Sequence, residues 1–129
     1  MSEPVVTNLA KFWNDEQGIG HVLFFPRTEF DDKDVEEYIQ TAQKFTGGKP
    51  NLVLIDFSNL NLFSMGVFKR LTSPELTRLT IAAAIVVSSS APYVAQGINF
   101  LLSLNKEPFP IKVVTNEKEG MDWLLTFKK

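Results

Sequence analysis

Cysteine is absent from this 129-residue chain, which removes disulfide staples, thiolate metal sites and thiol nucleophiles together. Histidine occurs once, as His21. With one imidazole and scattered carboxylates, no metal-ligand spacing is recognisable and no metal site is expected. Neither charge dominates: 13 Lys and Arg face 15 Asp and Glu, a formal net charge of −2, too weak a field to attract nucleic acid or an anionic membrane surface. Long apolar runs are missing as well. The longest, Ile81 to Val87, falls far short of the roughly 20 residues that span a bilayer, so no transmembrane segment is expected. Met1-Ser2-Glu3-Pro4 carries an acid where a secretory leader carries Lys or Arg, and no apolar stretch follows, which points to a cytoplasmic location.

What is present suffices for one core. Apolar residues make up 44% of the chain, with eleven Phe, two Trp and two Tyr, so a fold of this size needs neither metal nor crosslinks and no cofactor is implied. No repeat, low-complexity tract or polar linker interrupts it, and residues 1–129 read as a single domain.

The patterning alternates strands with helices. Asn8 to Trp13 and Ile19 to Phe25 read as a β-hairpin around Asn14-Asp15-Glu16-Gln17-Gly18, and Pro26 stops its second strand. Asp31 or Asp32 caps a helix whose buried face carries Val35, Tyr38, Ile39, Ala42 and Phe45, ended by Gly47-Gly48-Lys49-Pro50. Leu52 to Ile55, closing on Asp56, has the unbroken apolar run of a central strand covered on both faces. Ser64 and Ser73-Pro74-Glu75 mark helix starts, the second with Pro at the first helical position. Ile81 to Val87 reads as another buried strand, followed by Ser88-Ser89-Ser90 and a helix from about Pro92 to Leu104 with Ile98 inward. A last strand, Ile111 to Val114, precedes the capping box Asn116-x-x-Glu119 and a helix burying Met121, Leu124 and Leu125. The order β-β-α-β-α-β-α-β-α requires right-handed crossovers and a mostly parallel sheet with an antiparallel edge.

Few residues offer catalysis. His21 reads as a satisfied strand histidine, and no Gly-x-Ser-x-Gly elbow accompanies it. The acids of Asp31-Asp32-Lys33-Asp34 and Glu36-Glu37 suit a solvated helix start, where the macrodipole favours them. Gly18-x-Gly20 and Gly47-Gly48 lack the strand-to-helix setting of a phosphate loop. Ser88-Ser89-Ser90 reads as a polar loop, with an anion site at the sheet edge as its functional alternative. Lys69, Arg70 and Arg78 read as a solvated helix face rather than a nucleic-acid surface. More suggestive are Leu62, Phe63, Met65 and Val67 with Phe68, crowded at one helix start where not all can face inward. An exposed subset there marks a contact surface.

Ile55-Asp56-Phe57-Ser58 and the stretch Phe63-Ser64-Met65-Gly66-Val67-Phe68 resemble the signature of STAS domains, the anti-sigma-factor antagonists, in which an Asp-Leu-Ser-like turn precedes an Asp-Ser-Ser-Gly helix start. Phe63 stands where that family has Asp, and Met65 where it has the second Ser. Val113-Val114-Thr115-Asn116 through Asp122-Trp123-Leu124 is similar to the strand, cap and Trp-Leu helix of the SpoIIAA-like branch. The resemblance implies a bacterial α/β domain with a four- to five-stranded mixed sheet, in a fold whose members include partner switches and lipid-associated modules. By the same resemblance Ser64 is a candidate phosphorylation site, where a phosphate would suit the helix N-terminus yet add charge to a docking surface.

The expectation is therefore a non-enzymatic interaction module. Asp56, Ser58, Phe63, Ser64, Met65, Gly66 and Phe68 would contact a protein partner, such as a kinase or anti-sigma-like regulator, or a second copy of the chain. The alternative is a binder of a small apolar or lipid-like ligand between sheet and helices near Phe24, Phe57, Phe63 and Phe100.

Overall fold

A computed structural model of the chain describes residues 4–7, 9–25, 32–58, 77–90, 92, 96, 98–100 and 109–128, without the side chains of Asp32 and Val35. Its strands are β1 (Val5–Val6), β2 (Ala10–Asn14), β3 (Gly20–Phe24), β4 (Asn51–Asp56), β5 (Thr80–Val86) and β6 (Ile111–Val114). They form one sheet in the order β1-β2-β3-β4-β5-β6. The first three run antiparallel, and β3 to β6 run parallel. Two helices have defined bounds among the described residues, α1 (Asp32–Thr46) and α2 (Glu117–Leu125), and residues 92, 96 and 98–100 are also helical. This is the α/β class expected, with the antiparallel edge made by the hairpin. The sheet exceeds the expected strands by β1, because a two-residue strand is too short to show any periodicity.

Strand order dictates where the helices lie. A sheet that grows in one direction through right-handed crossovers places every crossover on the same face. Tyr38, Ile39 and Ala42 of α1 accordingly share one buried cluster with Ile98, packed on Phe12, Val22, Phe24 and Ile85. The opposite face is left to α2, whose Leu124 joins Leu52, Leu54, Ala82, Ala84, Val86 and Val114. Along β4, Val53 and Ile55 meet the first cluster while Leu52 and Leu54 meet the second. That is the two-sided burial its apolar run implies.

Four local details shape the molecule. The N-cap of α2 forms as read, with Asn116 Oδ1 accepting from the Glu119 N–H at 2.8 Å. After α1 the chain reverses through Gly47 and Gly48, at φ of 64° and 78°, a region that disfavours any residue with a Cβ. Ile81 departs from expectation, being 47% exposed. Asn51 pairs with Thr80 but Leu52 with Ala82, so Ile81 sits in a register shift and bulges out of the ladder. The acidic cluster at the start of α1 also divides: Glu36 and Glu37 are solvated as expected, whereas Asp34 is buried.

Candidate functional site

Of the residues expected to form a contact surface, the structure describes Asp56 and Ser58; Phe63, Ser64, Met65, Gly66 and Phe68 lie outside the described residues. At the end of β4, Asp56 Oδ1 accepts from the Ser58 N–H at 2.8 Å, an Asx turn that fixes how the chain leaves the sheet. Phe57 is anchored between them, its N–H donating to Val86 O at 2.7 Å and its ring packed 4.8 Å from that of Phe24. Ser88-Ser89-Ser90 bonds within itself: the Ser88 and Ser90 hydroxyls are 2.7 Å apart, and the Ser90 N–H donates to Ser88 Oγ. The polar-loop reading therefore describes this segment.

His21 is buried and has company that the sequence did not reveal. Its Nε2 lies 2.8 Å from Asp15 Oδ2, and its ring stacks on Trp13 with centroids 5.0 Å apart. Nδ1 has no hydrogen-bond partner, and Glu117 Oε1 stands 3.8 Å from it, beyond bonding distance. Burial raises the affinity of the Asp15 carboxyl for protons, but the His21 contact and the N–H groups of Ile19 and Gln17 outweigh it and hold the carboxyl below its ordinary range. The hydrogen-bond expectation for His21 thus holds at one nitrogen. A turn aspartate within six residues of a strand histidine was the available signal.

A cavity of about 230 Å³ opens on the α1 face of the sheet. Its buried lining includes Phe12, Tyr38, Ala42 and Leu79, and its exposed lining is Lys49 and Pro50. It therefore runs from an aromatic floor, under α1, to a mouth at the N-terminal ends of β4 and β5 and the C-terminal end of α1. The cavity is not where the ligand reading placed it. Phe24 and Phe57 fill the other end of the cluster ring against ring, Phe100 is 60% exposed, and Phe12, Phe45 and Phe109 take their place in the lining. Gly20, His21 and Val22 all belong to the lining, while strand alternation turns the His21 side chain to the opposite face from Phe12 and Val22.

Among the described residues no group of three or more potential ligands could hold a metal ion, and no helix is long and apolar enough to cross a membrane.

The monotonic mixed sheet, with crossover helices on one face and a capped C-terminal helix on the other, defines a SpoIIAA-like α/β domain. An uncharacterized protein of the DUF3478 family with a SpoIIAA-like fold, from Shewanella loihica PV-4, superposes with a TM-score of 0.62 over 96% of this chain and 98% of its own, at 15% identity. The chain belongs to the family described as Domain of unknown function (DUF7793), which it matches over residues 12–128. A protein of unknown function from Arthrobacter sp. FB24 gives a TM-score of 0.32 at 22% identity, covering 95% of this chain and 97% of its own. No curated protein matches the sequence.

Proposed function

We propose that this domain is a non-catalytic binding module that holds a small, mainly apolar ligand between the sheet and α1. The cavity of about 230 Å³ carries this reading. Interiors pack almost without voids, and a dry apolar space of about 150 Å³ is already enough to bind benzene. On that scale the cavity accepts about nine or ten non-hydrogen atoms. Binding rather than catalysis is supported by strand alternation, which turns the one imidazole, and the Asp15 carboxylate bonded to it, away from the face that carries Phe12 and Val22.

The test is native mass spectrometry of freshly purified protein beside an Ala42→Leu variant, which fills the floor. The wild type should carry a small extra mass, or gain a thermal shift with 1-octanol, and the variant should lose both. A wild type that is ligand-free and indifferent to 1-octanol overturns the reading.

A second reading, docking of a protein partner or a second copy through residues 56–68, is supported by the Asx turn at Asp56 and the anchored Phe57. Those contacts give the segment a fixed departure from the sheet edge. Replacing Met65 with Asp and Phe68 with Ser should change sedimentation or the partners retained; an unchanged profile removes this reading, and with it any regulatory role for Ser64.

A further inference from the structure

The described cavity lining holds Lys49 and no Asp or Glu. Its floor is aromatic: Tyr38 is 5% exposed, and its ring lies 5.2 Å from both Phe12 and Phe24.

At the mouth stands Lys49, exposed and with its ammonium unpartnered among the described residues. Its backbone is not free to drift. The two left-handed glycines turn the chain back so that the Lys49 N–H donates to Thr46 O at 3.3 Å, while Thr46 Oγ1 donates to Ala42 O at 2.9 Å and accepts from the Gly48 N–H. The reversal thus holds a cation beside an apolar cavity. No Asp or Glu belongs to the described lining to neutralise it. The Lys49 ammonium, at the rim, can only donate.

Resting on the binding reading above, we propose that the ligand is an apolar carboxylic acid of about ten non-hydrogen atoms, with its carboxylate received at the mouth by Lys49 and its apolar body lying against Phe12, Tyr38 and Ala42. An ammonium-to-carboxylate hydrogen bond is among the stronger polar contacts available. A neutral alcohol of equal length satisfies the cavity without the charge. An amine of equal length opposes it.

Octanoate, 1-octanol and octylammonium separate these contributions by calorimetric titration of the full chain. Octanoate should bind about tenfold more tightly than 1-octanol, and octylammonium most weakly, a tenfold ratio being the measure of one such contact. Lys49→Glu, at an exposed position, should invert the order of the two ions and leave 1-octanol unchanged. Equal affinity for all three probes, or an order unmoved by Lys49→Glu, overturns the acid preference and leaves the cavity reading standing. Failure of every probe, 1-octanol included, overturns the cavity reading itself.

Discussion

Asp15 holds the hairpin turn together with one carboxylate. Its Oδ1 accepts from the N–H groups of Gln17 and Ile19 at 2.8 and 3.0 Å, and its Oδ2 meets His21 Nε2 at 2.8 Å. A hydrogen bond to a charged group contributes about 1.5–3 kcal/mol net of the exchange with water. Asp15→Ala should therefore cost about 2–3 kcal/mol, read from urea unfolding. The carboxyl titrates below its ordinary value of 3.8 in the folded chain. Its contribution is consequently complete above the unfolded pKa and is lost as pH falls through the folded one. The stability profile of Asp15→Ala should be flatter than that of the wild type below about pH 4, and identical acid limbs would refute the role. His21 interprets the same turn from the other side: it is anchored by one nitrogen, and the second faces Glu117 without bonding it.

Among the elements, α2 shows how closely a helix can approach a sheet when the facing residues are small. A Cβ at Gly120 would lie 3.0 Å from Leu54 Cδ1, 3.2 Å from Ala84 Cβ and 3.3 Å from Val114 Cγ2. Leu54 can swing a methyl aside, but the Ala84 Cβ is fixed to a central strand. Gly120→Ala gains about 1 kcal/mol of helix propensity against that crowding and should come out near neutral. Gly120→Val adds two methyl groups to the same space and should destabilise by about 1–3 kcal/mol, measured as a lower urea midpoint with unchanged slope. A Val variant as stable as the wild type would show that α2 stands further from β5 than its contacts imply. The reversal after α1 belongs to the same scale. Gly48 at φ of 78° has open space around it, so Gly48→Ala meets strain in the backbone rather than a clash.

For the whole molecule, the two faces of the sheet have separate duties. The α2 face is closed: Ala82, Ala84, Val86 and Val114 are all buried under Leu124 and its neighbours. Removing residues 116–129 would expose this strip, and the truncated chain should lose cooperative unfolding or associate, as size-exclusion chromatography would register. A monomeric, cooperatively folding truncation would mean that the sheet needs only one covered face. The α1 face keeps its cavity at one end and its aromatic packing at the other, with Phe24, Phe57 and Tyr38 forming a continuous run of rings. Ligand entry at the mouth would thus leave the Phe24–Phe57 end undisturbed, and binding should protect amides of α1 and β4 from exchange more than those of α2.

The order of the five longer strands with α1 and the C-terminal helix, the antiparallel edge, the Asn116 cap and the Gly47-Gly48 reversal were determined by the sequence itself, because each is written in neighbouring residues whose period or backbone freedom admits few conformations. The resemblance at residues 55–68 and 113–124 pointed to the same fold. Tertiary structure alone decided the cavity, since Phe12, Tyr38, Leu79 and Phe109 come from distant parts of the chain and the space is what remains between surfaces that do not quite meet. It also decided that Tyr38, legible only as a core position of a helix, lines that space, and that Lys49, legible only as part of a helix stop, stands at its opening. Periodicity reports which side of an element is buried; it carries no information about whether that side is fully filled.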